Sequence, residues 1–159
     1  MNTARSCRGF TYVEVLLAVA ILAAAAVSAA YAVAQARSAG ADAAVAATAE
    51  YLLQDGFAWA RSLPRVDEAT SGTFGLETGE TVPDDVDDLD GLDERPPVDR
   101  AGNTMSGRWR RRWDVASVLV TDPTNEQGNG STHLLRVEVR VLLDGSDVLT
   151  GSILLARTP

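Results

Sequence analysis

The 159-residue sequence contains no lysine, one cysteine and one histidine, and no proline before Pro64. All 14 basic residues are arginine, a usage that, with the abundant alanine, reflects a GC-rich genome rather than chemistry. A single cysteine, Cys7, excludes an internal disulfide and a cysteine metal cage. It precedes the apolar run instead of following it, so it is not a lipoprotein signal and is read as an incidental leader residue. Nothing supports catalysis. His133 lies beside a Gly/Ser/Thr loop and is expected to be exposed. No Ser/His/Asp arrangement, Gly-rich phosphate loop or zinc spacing occurs. The net charge of −8 argues against the chain as a whole binding polyanions.

What is present begins with a long helix. Residues 15–34 carry no charge, and only Ser28 and Tyr31 interrupt their apolar character. About 20 such residues span the hydrocarbon core of a bilayer. Alanine, leucine and glutamine favour helix, and the only glycines between Phe10 and Pro64 are Gly40 and Gly56. A helix over residues 10–63 is expected, with Pro64 as its stop. It changes character after Ala34. Gln35, Ser38, Asp42, Glu50, Gln54, Asp55 and Arg61 appear, while Ala49, Leu52, Leu53, Phe57, Ala60 and Leu63 fall at spacings of three and four. Residues 10–34 are thus read as transmembrane and residues 35–63 as an amphipathic cover for a soluble domain. Arg5 and Arg8 just before the span place the N-terminus in the cytoplasm and the rest outside the inner membrane.

Three readings of the N-terminus are open. A secretory signal peptide would be cut near residues 29–36, but Glu14 at the head of the apolar run is foreign to such signals. A plain uncleaved anchor would merely tolerate Glu14 near the helix end. The third reading is a cut between Gly9 and Phe10. It exposes an α-amine one helical turn from the Glu14 carboxylate, and the two then pair within a chain or between neighbours.

Gly9-Phe10-Thr11-Tyr12-Val13-Glu14-Val15-Leu16-Leu17-Ala18-Val19-Ala20-Ile21-Leu22 resembles the prepilin-type segment of type IV pilins and type II secretion pseudopilins. The resemblance covers about 25 residues: a small residue at the cut, Phe after it, an acid four residues on, then an unbroken apolar run. It implies cleavage after Gly9 by a prepilin peptidase, N-methylation of Phe10, and a role for Glu14 in packing against other pilin or pseudopilin subunits. Many major pilins carry a kinking proline about where Tyr31 stands. Its absence makes the chain look more like minor pilins and minor pseudopilins.

Residues 64–108 lack periodicity and are punctuated by glycine and proline, so a variable acidic loop region is expected. Residues 77–99 hold ten acids, densest at Asp84, Asp85, Asp87, Asp88 and Asp90. Alternate carboxylates beside Gly91 make a candidate Ca²⁺ site, although the spacing is not that of an EF-hand. The competing reading, which is preferred, is a solvated acidic loop.

Strands come last, in residues 109–159. Leu135, Val137, Val139, Val141 and Leu143 alternate with charged residues, Asp144-Gly145 reads as a hairpin turn, and residues 148–156 supply a second strand. A third is expected over residues 113–120, ended by Asp122-Pro123. Arg108-Trp109-Arg110-Arg111-Arg112-Trp113 is a candidate single-stranded nucleic-acid contact by stacking and phosphate pairing. The acidity of the domain argues against it, and the cluster is expected instead to face the acidic segment. The fold class is α+β and pilin-like: a long N-terminal helix on a small antiparallel sheet. The functional expectation is a non-enzymatic minor pilin or pseudopilin. The competing class is a monomeric membrane-anchored binding module using the acidic loop or the Arg/Trp patch.

Overall fold

A computed structural model describes residues 11–65, 74–76, 81–128 and 132–156. Gly9 and Phe10 lie outside the described residues. The chain divides into two compact units, Met1–Ala44 and Val45–Pro159. One helix, α1 (Tyr12–Ser62), crosses the boundary between them. Its 51 residues make it about 75 Å long at ~1.5 Å per residue.

Both ends of α1 follow from local chemistry. The Thr11 hydroxyl accepts the Glu14 backbone N–H at 3.3 Å, which satisfies one of the helix's orphan donors. Glu14 itself sits in the first turn, where the helix dipole favours an anion. At the other end Pro64 cannot continue the ladder. The Arg65 guanidinium donates to the Ala60 carbonyl at 3.4 Å, and the Pro64 carbonyl accepts from Val86 N–H at 3.0 Å.

Every described residue from Thr11 to Ala44 is exposed. This part of α1 includes a window long and apolar enough to cross a membrane. From Val45 onward the helix buries the expected stripe: Ala49, Leu52, Leu53, Phe57 and Ala60, with Gly56 between them.

The second unit is that stripe laid on an antiparallel sheet. The sheet has five strands rather than three: β1 (Asp93–Glu94), β2 (Trp109–Leu119), β3 (Asp122–Glu126), β4 (Leu134–Leu143) and β5 (Ser146–Ala156). Their order is β1-β2-β4-β5, and β3 pairs with β2 alone. Strand β2 starts at Trp109, four residues before its expected start, because the Arg/Trp run pairs fully with β4, from Trp109↔Leu143 to Ser117↔Leu135. Asp122-Pro123 does not simply end a strand. It opens β3, which folds back on β2 past an irregularity between Val118 and Leu119. Proline is tolerated there because β3 has no partner on its other side among the described strands.

Asp144 and Gly145 both take positive φ, 52° and 85°, as a two-residue type I′ hairpin requires. The inward row of β4, Leu135, Val137, Val139 and Val141, meets Leu52, Leu53 and Phe57 of α1 in one core with Trp113, Val115 and Leu155. Gly151 of β5 permits the close approach. A Cβ there would lie 3.0 Å from Leu53 and 3.1 Å from Phe57.

Candidate functional site

Glu14 is the sequence-derived assembly residue that the structure describes. Its side chain stands in the exposed first turn of α1, ahead of the apolar run. Among the described residues no basic side chain forms a salt bridge with it. The proposed counter-charge, the Phe10 amine, belongs to the undescribed N-terminus.

The Arg/Trp run is brought together with groups from three elements. Strand β2 alternates its side chains, so Trp109, Arg111 and Trp113 point inward. Arg111 is fully buried, with 0% of its side chain exposed. Its guanidinium donates to Glu94 of β1 (Nη2 to Oε1, 3.1 Å), to Asp55 of α1 (Nη1 to Oδ2, 2.9 Å), and to the carbonyls of Leu52 and Val98 at 3.2 and 3.0 Å. It lies over the rings of Trp113 and Trp59, 5.2 and 6.0 Å from their centroids. Those two rings meet edge to face at 5.4 Å. Trp113 Nε1–H donates to the same Glu94 at 3.0 Å.

Burial works against the Arg111 charge, but Glu94 and Asp55 more than offset it and hold the guanidinium protonated above its ordinary range. The buried cation thereby joins helix, β1 and β2. Arg110 and Arg112 pair with Asp93, and Arg108 pairs with Asp144 through a bond from its Nε at 3.0 Å. The expected facing of this cluster towards the acidic segment holds for Asp93 and Glu94. All four arginines are engaged with carboxylates of this chain.

The acidic segment departs from a solvated loop. Asp85, Asp87 and Asp88 are buried, and Asp87–Leu89 forms a 3-10 turn. The Asp88 carboxylate accepts the backbone N–H groups of Asp84 and Asp85 at 2.9 and 3.4 Å, and Asp85 accepts that of Asp88 at 3.1 Å. Asp90 accepts Val115 N–H of β2 at 3.0 Å. These acids serve as turn and strand caps. Their placement sinks Val86 and Leu89 into the core, which polar side chains facing water would not do. Among the described residues no three His, Cys, Asp or Glu side chains converge to hold a metal ion.

Sequence reasoning missed Asp55, Glu94 and the Tyr51–Asp99 pair. Asp99 accepts from Tyr51 Oη at 2.7 Å, from Asn103 N–H and Nδ2 at 2.7 and 3.0 Å, and from Ala101 N–H at 3.0 Å. The bonds from Asn103, then that from Tyr51, hold the Asp99 carboxyl at about 2. The one signal available was Asp55 itself, an acid at the edge of the apolar stripe, three residues after Leu52. His133 is exposed.

No protein-family model, no curated protein and no solved structure matches this chain.

Proposed function

We propose that this chain is a minor subunit of a filament of the type IV pilus or type II secretion pseudopilus class, rooted in the bacterial inner membrane through α1. The observation that carries the proposal is Glu14, a lone carboxylate in the first turn of a helix whose next 20 residues are uncharged. A carboxylate at the head of a lipid-length segment calls for a cation at the same depth. Cleavage after Gly9 creates one, the α-amine of Phe10. The exposed apolar part of α1 and the helix-on-sheet unit that follows support the same reading.

Prepilin peptidase and other subunits are the partners this implies, with the C-terminal unit outside the inner membrane on the strength of Arg5 and Arg8. The chain carries no reaction of its own; it is cut, methylated and packed. Mass spectrometry of the mature N-terminus is expected to find methylated Phe10. An intact Met1, or a cut near Ala30, defeats the proposal and returns the chain to an anchored binding module or a secreted one. Glu14→Ala is expected to leave membrane insertion intact and to abolish or impair filament incorporation.

A further inference from the structure

Three strands of the sheet have a partner on one side only among the described residues: β1, β3 and β5. β1 is two residues long and both are acids, Asp93 and Glu94. β3 is five residues long and carries Asp122, Pro123 and Glu126. Short length, charge and proline are devices that stop an edge from pairing with another chain. β5 has almost none of them. It runs 11 residues, ~37 Å at ~3.4 Å each, with one charge, Asp147, next to its start. Residues 148–156 carry no charge and no proline.

β5 pairs with β4 along its whole length, from Leu143↔Ser146 to Leu134↔Ala156. In an antiparallel ladder successive residues turn their N–H and C=O groups to alternate sides, so about half of those of β5 point away from β4. Its side chains are also incompletely covered. Leu149 and Ile153, on the face that packs on α1, are only partly buried, whereas the matching row of β4 is buried. On the other face Val148 and Leu154 are 37% and 47% exposed.

From this edge we infer that β5 docks an extended, uncharged segment of a different polypeptide, added antiparallel as a further strand of the sheet. The order of the side chains states what fits. Val148-Leu149-Thr150-Gly151-Ser152-Ile153-Leu154 has the same chemistry read in either direction from Gly151. An incoming strand of that alternation, laid antiparallel with its centre over Gly151, sets apolar against apolar and hydroxyl against hydroxyl at every flanking pair. Backbone bonds supply the affinity, and a charge on the incoming strand would meet no counter-charge between Val148 and Ala156. A second copy of this chain is excluded as the occupant. Antiparallel pairing of β5 with β5 relates the copies by a two-fold axis normal to the sheet, which reverses the stretch of α1 lying on it. Copies rooted in one membrane hold that stretch in the same direction. That exclusion rests on the membrane-anchored part of the proposed function, and the docking itself does not.

The test uses the full chain, one copy per lipid nanodisc, and a fluorescent peptide with the sequence of residues 148–156. The peptide is expected to bind saturably. The same peptide N-methylated at each of residues 149–154 keeps every side chain and loses the backbone donors of both its edges. It is expected to bind at least about tenfold more weakly. Thr150→Lys with Leu154→Lys in the chain, both at exposed positions, is expected to weaken the parent peptide about as much and to leave the melting temperature unchanged. Absence of binding by the parent peptide, equal binding by the methylated one, or equal binding to the double-lysine chain overturns the strand addition. In native membranes, the chain carrying Cys7→Ser, Thr150→Cys and Ser152→Cys is expected to give no disulfide-linked homodimer on oxidation. A homodimer would seat a second copy on the edge, where residue 150 of one chain faces residue 152 of the other, and overturn the assignment to a different polypeptide. None of these readouts depends on methylation of Phe10, so their failure leaves the filament proposal standing.

Discussion

Residues 12–44 and 45–62 of α1 share one backbone and an alanine-rich composition, yet they solve different problems. In the first, all side chains are exposed and residues 15–34 carry no charge. In the second, one stripe is buried on the sheet and the other faces are polar. The first is suited to lipid and to other helices, where burial of apolar area against water gives no preference among faces and the placement of a few polar groups decides orientation. The second is suited to water, where the apolar stripe decides it. A substitution should therefore be read differently on either side of Ala44, and that difference can be tested directly.

The largest effect is expected at Arg111. Arg111→Ala leaves Glu94 and Asp55 without their buried cation, a change that typically costs ~3–5 kcal/mol. Unfolding of the detergent-solubilised chain, followed by tryptophan fluorescence, should show the loss directly, since Trp59 and Trp113 frame the site. Arg111→Lys should recover only part of it, because an ammonium does not reproduce the fork of bonds to Glu94, Asp55 and two carbonyls. A loss under about 1 kcal/mol in the alanine variant, the range of an exposed pair, would mean the bridge is not the joint described here.

A matched pair of leucines comes next. Leu52→Ala opens a cavity in a fully buried position and should destabilise the second unit by ~2–5 kcal/mol. Leu22→Ala removes the same atoms from a residue that is 68% exposed on α1. It should leave the unfolding midpoint unchanged and lower only the membrane-bound fraction. If the two variants shifted the midpoint equally, the contrast between the two parts of α1 would fail.

The sequence carried most of this division because periodicity is local. The stripe Ala49–Leu52–Leu53–Phe57–Ala60, the alternation of Leu135, Val137, Val139 and Val141, and the Asp144-Gly145 turn each depend on neighbours a few positions apart. What was illegible depends on pairing across long separations. The Arg111 bonds join residues 17 and 56 positions away, so the Arg/Trp run could be read as a surface patch although Arg111 is buried. The acidic segment misled for a related reason. Density of carboxylates signals solvent only when backbone donors are elsewhere, and here Asp85 and Asp88 cap each other's turn. β1 and β3 were missed because two-residue and proline-bearing edge strands have no period to detect.

The smallest expected effect probes how the second unit ties its loop back to α1. Asp99 receives bonds from Asn103 and from Tyr51 of α1, and its folded value of about 2 lies below the ordinary 3.8. The unfolded chain therefore binds the extra proton first as the pH falls. The contribution of Asp99 is complete above about 3.8 and is lost progressively down to about 2. Tyr51 answers at the other end. Its hydroxyl, bonded to Asp99, is held above the ordinary 10.0, so its contribution is complete below that value and is lost as the pH rises through the folded value. Tyr51→Phe removes the tyrosine's own titration and one of the bonds that hold Asp99, leaving those from Asn103 and Ala101. Its melting temperature is expected to fall less steeply than that of the parent chain between pH 4 and pH 2, and to lose the alkaline decline that the tyrosine supplies. Parallel curves at both ends would show that the bond does not tie the loop to the helix. Leu22→Ala, at an exposed position outside the second unit, should leave both slopes as they are.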